Sequence, residues 1–229
     1  GEFLLIVVGV LAALAVDTWR GELGDRERER QYLERLVADL DRTERELTGR
    51  ASFYEGQLVY GLRALDVLQG RSEVPRDTIS FIADVFRPTR STEPRISRAT
   101  YDDLISTGNL DLLRDAAVRD GIMTYYEAVE RALFPVDYSL DRTSYRAAVR
   151  SLIPPELQFE LQECDAEPST CTPVESVSLS AVTQALRTEP NLGRSLTLLL
   201  QSSGIRTFDT ALRRTGELRN AIQWYLDSG

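Results

Sequence analysis

The sequence contains no histidine and no lysine, so every basic side chain is an arginine. Without histidine it lacks the commonest general base, the commonest transition-metal ligand and the usual axial ligand of haem. Acid–base chemistry would have to rely on carboxylates or tyrosines alone. The nucleophile elbow, the phosphate-binding loop and the dinucleotide-binding fingerprint are also missing. We therefore expect a protein that is not an enzyme, with no catalytic residue, no metal and no cofactor.

The sequence also has no excess of positive charge. The 229-residue chain carries 27 basic and 36 acidic side chains, for a net charge of −9. Binding to nucleic acid depends on a basic face that neutralises phosphates. We therefore expect no nucleic-acid partner.

Cysteine is scarce: the two residues are Cys164 and Cys171, in a polar, proline-bearing stretch that predicts a loop. Their spacing fits a local disulfide, which would require an oxidising compartment. The alternative is a pair of unrelated reduced thiols. A metal site is not expected, because two thiols without histidine leave the coordination incomplete.

Long apolar runs are confined to residues 3–16, which are followed by Trp19 and Arg20. With its flanks this run forms a helix of about 25 Å, close to the thickness of the hydrocarbon core. We predict a transmembrane anchor over residues 1–20, with Trp19 and Arg20 at the membrane interface. One alternative is a cleaved signal peptide, although no small-residue cleavage site fits before the charged stretch. The other is a buried core helix, which would rarely lack a polar face for so long.

Three small residues in this run, Gly9, Ala12 and Ala13, would let another transmembrane helix approach closely. Such spacings also occur by chance in alanine-rich spans. If the disulfide forms, the domain after the span lies in the periplasm and the N-terminus lies in the cytoplasm. The predicted location is thus the bacterial inner membrane, crossed once.

Residues 21–49 are predicted to form a charged stalk and the first helix, with a break possible at Gly21 or Gly24. Residues 50–229 are predicted to form a helical periplasmic domain, because no run shows the period-two alternation of a strand. The predicted helices cover 52–69, 78–86, 97–106, 116–134, 139–152, 180–187, 191–202 and 205–226. Residues 154–177 are expected to be irregular. The predicted fold class is all-α, with an N-terminal transmembrane helix followed by a single extramembrane helical domain.

Two stretches of the sequence carry recognisable motifs. Residues 2–19 begin with an acidic residue, continue through an apolar Val-Gly-Val-Leu core and end in Asp-Thr-Trp. Residues 100–115 contain Leu-Ile-Ser-Thr-Gly-Asn-Leu, and Tyr125-Tyr126 follows. These stretches resemble the anchor and the Leu-x-Ser-x-Gly-Asn-Leu motif of a family of uncharacterised bacterial single-span membrane proteins. The resemblance implies an anchor and a helical domain but no activity. Gly108 and Asn109 also have a structural explanation, since both residue types tolerate left-handed backbone in a turn.

Three functions are compatible with these features. The first is a non-catalytic accessory or scaffolding subunit of a larger integral-membrane complex, for example a respiratory or a photosynthetic reaction-centre and antenna assembly. Its partners would be other integral-membrane subunits and the lipid bilayer. The second is a membrane-anchored periplasmic sensor or ligand-binding module. The third is a hydrolase that uses only carboxylates, which would need two acids facing each other in a cleft.

Overall fold

The structure is a computed structural model that describes residues 2–92, 94–137, 140–164, 171, 174–201 and 205–228. Within these residues the secondary structure is helical and contains no strand, which confirms the all-α class. The α-helices are α1 Glu2–Leu68, α2 Thr78–Phe86, α3 Ala99–Ser106, α4 Ala116–Asp137, α5 Leu140–Leu152, α6 Pro155–Glu163, α7 Leu179–Thr188, α8 Leu192–Gln201 and α9 Ile205–Ser228. Short 3-10 turns cover Arg87–Thr89 and Asn109–Leu112.

Helix α1 is longer than the sequence pattern predicted. It continues without a break through Gly21 and Gly24, and it joins the two helices that were expected to be separate on either side of Gly49. A glycine inside a helix costs only about 1 kcal/mol relative to alanine, and no proline interrupts the segment. Apolar residues on both sides of Gly49 are buried, including Leu47 before it and Ala51 after it, so packing compensates for the weak helix formers.

Two further differences from the prediction occur at prolines. Helix α4 runs to Asp137, two residues past Pro135, which was expected to end it. Helix α6 lies inside the stretch 154–177 that was expected to be irregular. Pro155 is its first residue, and proline suits this position because the first N–H groups of a helix have no partner within the helix.

Contacts divide the chain into two compact units. Unit 1 comprises Gly1–Glu46, Arg95–Glu130 and Leu212–Gly229. Its buried apolar side chains come from helices α1, α3, α4 and α9 and from the segment before α4, and they are Leu33, Leu36, Leu40, Leu104, Leu113, Val118, Ile122, Tyr125, Tyr126, Val129, Leu218 and Ile222. The hydroxyl groups of Tyr125 and Thr215 form a buried hydrogen bond of 2.8 Å.

Unit 2 comprises Leu47–Pro94 and Arg131–Ala211. Its core is a cluster of apolar side chains from α1, α2, α5, α6, α7 and α8. Cys164 and Cys171 form a disulfide at the edge of this core, with their Cα atoms 5.1 Å apart, which confirms the predicted pairing. Helix α5 is tied to α2 by Tyr145, whose buried hydroxyl donates to the Val85 carbonyl at 2.8 Å.

None of the helices in the part of the chain that the structure describes has the length and apolar character needed to cross a membrane. Several side chains of the predicted anchor, those of residues 2–6, 8, 10 and 13, lie outside the described ones.

Candidate functional site

A buried carboxylate of α1, Asp39, holds the start of α3 in unit 1. Its Oδ2 accepts a hydrogen bond from the Thr100 N–H at 3.0 Å, and its Oδ1 accepts one from the Ser97 hydroxyl at 2.8 Å. Helix α3 has no side-chain cap of its own at Arg98, so Asp39 serves as its N-cap from a distant part of the chain. Burial alone would raise the pKa of Asp39, but the hydrogen bonds from Thr100 and Ser97 outweigh it and hold the pKa below its usual value.

A second carboxylate of α1, that of Glu29, contacts the chain just before the start of α4. Glu29 accepts hydrogen bonds from the Arg114 N–H at 2.8 Å and from the Tyr225 hydroxyl at 3.0 Å. Between Asp39 and Glu29 along α1, the Tyr32 hydroxyl accepts a hydrogen bond from the Asn109 amide at 2.9 Å. These contacts give the motif segment 100–115 a structural role, which is to pack the turn between α3 and α4 against α1.

Gly108 adopts a φ of +69°, so it has the left-handed conformation expected from the sequence. Three acids near the turn between α3 and α4 each have a different partner. Asp102 pairs with Arg98 at 2.9 Å, Asp103 pairs with Arg35 at 3.0 Å, and Asp115 accepts the Val118 N–H at 2.9 Å. No cluster of three or more metal-binding side chains occurs among the described residues.

Unit 1 contains a groove of about 790 Å³ between α4 and α9. We call it the α4–α9 groove. Small residues, among them Ala117, Gly121, Ala128 and Ala221, form much of its apolar floor. Asp115 lines the groove just before α4, the residues from α4 are Ala117, Val118, Asp120, Gly121, Thr124, Tyr125 and Ala128, and those from α9 are Arg214, Glu217, Leu218, Ala221 and Trp224.

Three features distinguish this groove from the surrounding surface. Trp224 at one end is 71% exposed, although tryptophan is a costly residue to leave in water. Gly121 keeps the floor low, since even a Cβ atom at this position would contact Leu218 at 3.6 Å. Three of the four charged lining residues are acidic, so the rim carries net negative charge.

The residues predicted as sites have different outcomes. Cys164 and Cys171 come together as predicted. Gly9 and Ala12 are exposed on α1, and Gly9 has no atom near the position of a Cβ. Their packing against another transmembrane helix stays a prediction. The side chain of Ala13 lies outside the described ones. Trp19 and Arg20 are exposed on α1, and their place at a membrane interface stays a prediction.

The α4–α9 groove was not predicted from the sequence, although α4 carries a pattern that could have indicated it. Ala117, Gly121, Thr124 and Ala128 recur at intervals of four, three and four residues, which places them on one helix face. A face of small residues is a known surface for close helix packing.

Comparison with known proteins found no matching protein-family model, curated protein or solved structure.

Proposed function

We propose that this chain is a non-catalytic accessory or scaffolding subunit of a larger integral-membrane complex. The observation that carries the proposal is the α4–α9 groove, with the exposed Trp224 at one end. An exposed tryptophan beside an apolar groove is typical of an interaction hot spot, because tryptophan buries a large area when a partner covers it.

The proposed occupant is an apolar helix of a partner subunit that carries arginine or lysine beside its apolar face. The small floor residues allow such a helix to approach closely, and Trp224 would cover its end. The net negative rim, with Asp115, Asp120 and Glu217 against Arg214, favours a basic partner by charge complementarity.

The proposal includes the membrane anchor over residues 1–20 and a periplasmic location for residues 50–229. The anchor rests on the apolar run 3–16 with Trp19 and Arg20 behind it. The disulfide supports an oxidising compartment. Washing membranes at alkaline pH tests the anchor, because an integral protein stays in the pellet and a peripheral one is released. Release of the intact chain would contradict the proposal.

The docking test compares two substitutions of exposed aromatic residues in the full-length chain. Trp224→Ala removes the groove residue, and Phe159→Ala removes an aromatic side chain of unit 2 that is 67% exposed. Neither should affect folding by more than about 0.5 kcal/mol, because both side chains are mainly in water. The wild type and Phe159→Ala should migrate in mild detergent as the same complex with other integral-membrane subunits.

Trp224→Ala should lose that complex, and so should Gly121→Leu, which fills the groove floor. A wild-type chain that migrates as a lone monomer, or a complex that tolerates both groove substitutions, would contradict the proposal. A dimer of this chain alone would replace the proposed partner with a second copy and would also contradict it.

A further inference from the structure

Unit 2 contains a pocket lined by polar side chains. It has a volume of about 290 Å³ and lies between the 3-10 turn after α2, helix α5 and helix α6. Its lining residues are Thr89, Arg90, Ser91, Arg146, Arg150 and Gln162. We call it the arginine pocket. Three of its six residues are arginines and none is acidic, in a chain whose net charge is −9.

Arg146 is held in place by the backbone and side chain of the turn. Its Nε donates to the Thr89 carbonyl at 2.7 Å and its Nη2 donates to the Ser91 hydroxyl at 2.5 Å. These two bonds use one edge of the guanidinium group and fix its plane. Arg150 follows one helical turn later on α5, so both side chains lie on the same face of the helix.

Thr89 supplies an independent observation. The residue is 0% exposed, and its hydroxyl has no hydrogen-bond partner in the part of the chain that the structure describes. A buried hydroxyl without a partner costs free energy, and such groups in native proteins often face a ligand or an ordered water. Here the hydroxyl belongs to a residue that lines the arginine pocket.

We propose that the arginine pocket binds a phosphate group, with Arg146 and Arg150 as the principal ligands and Thr89 and Gln162 as further donors. The planar guanidinium group donates paired hydrogen bonds that match phosphate oxygens. Arg146 and Arg150 lie one helical turn apart, and their like charges repel each other unless an anion binds near them. A phosphate offers more acceptor oxygens than a carboxylate and therefore suits donors that converge from three elements.

The phosphate group could belong to the free ion or to a small monoester, and the pocket volume leaves room for a small substituent beside the phosphate. Thermal unfolding of the full-length chain in detergent tests binding, because a ligand of the folded state raises the midpoint by mass action. Inorganic phosphate, glycerol 3-phosphate and acetate are titrated separately. Sodium chloride at the same ionic strength controls for charge screening.

We expect a saturable rise with inorganic phosphate, with glycerol 3-phosphate, or with both, and none with chloride. Tighter binding of glycerol 3-phosphate would support a monoester as the ligand. A midpoint that responds equally to phosphate and chloride would overturn the proposal. A response to acetate without one to either phosphate compound would also overturn it.

Two variants assign binding to the arginine pocket. Arg150→Ala should weaken phosphate binding about tenfold, because it removes a charged donor from an exposed position without disturbing the Arg146 contacts. The control is Arg187→Ala, which removes an exposed arginine from the last turn of α7, outside the pocket. It should bind phosphate like the wild type. Equal affinity of Arg150→Ala and the wild type would overturn the assignment.

Thr89→Val distinguishes a binding role from a purely structural one. Since the hydroxyl lacks a hydrogen-bond partner among the described residues, its removal should leave the phosphate-free midpoint unchanged or raise it. The same substitution should weaken phosphate binding several-fold. A variant with unchanged affinity for phosphate would exclude the Thr89 hydroxyl from the site and contradict this part of the proposal.

Discussion

Asp39 allows a quantitative test of how α3 is held in unit 1. The residue is 4% exposed, and Asp39→Ala removes the acceptor for the Thr100 N–H and the Ser97 hydroxyl. Thr100 is buried, so its unpaired N–H would cost about 1–3 kcal/mol. The half-buried Ser97 can turn toward water and adds about 0.5–1 kcal/mol. Arg42, whose side chain is largely exposed, adds at most about 0.5 kcal/mol.

The expected loss is therefore about 3 kcal/mol, which corresponds to about a hundredfold change in an equilibrium constant. Hydrogen exchange measured by mass spectrometry tests it, because peptides covering α3 report the opening of that helix. Protection of α3 should fall by about this factor in Asp39→Ala. Asp39→Asn should lose less, since it keeps one acceptor oxygen. Asp111→Ala removes an exposed acid from the turn after α3 and should leave protection unchanged.

The difference between wild type and Asp39→Ala should also depend on pH. Because the pKa of Asp39 is lowered in the folded protein, the carboxylate stabilises the fold above its unfolded pKa of about 3.9. This contribution is lost as the pH falls through the lower, folded-state pKa. The two proteins should therefore converge in strongly acidic solution. If α3 exchanges equally fast in both proteins at neutral pH, the capping argument is wrong.

The remaining predictions concern packing and the disulfide. Gly121→Ala should stabilise the chain by about 0.5–1 kcal/mol through helix propensity, since the new methyl group makes an ordinary contact. Gly61→Ala should instead destabilise the chain, because the Cβ would overlap the Leu200 side chain. The overlap should cost about 1–3 kcal/mol, from which the gain in helix propensity is subtracted. Thermal unfolding of both variants measures the contrast, and equal midpoints would contradict it. Cys171→Ser should cost about 2.5 kcal/mol by the loop-entropy estimate for its bridge to Cys164. Adding a reductant should then lower the unfolding midpoint of the wild type but not of the variant.

Local patterns were sufficient for much of the secondary structure. The residues that flank α2 and the glycine that follows α3 affect the backbone of only a few neighbouring residues. The structure places both helices close to their predicted bounds. The prediction failed where a local rule competes with packing. The first helix, within residues 21–49, and the helix over 52–69 were predicted to be separate, but buried side chains such as Leu47 and Ala51 keep α1 continuous between them.

Residue composition and spacing alone determined that the chain is helical, that its longest apolar run lies at the start, and that its two cysteines are close enough to pair. These properties depend on neighbours within about two helical turns. Tertiary structure decided which polar residues meet. Asp39 and Thr100 are 61 positions apart, and Arg146 lies 57 positions from Thr89. Contacts over such separations depend on how whole helices pack, and no periodicity within one helix specifies the partner that its side chains will reach.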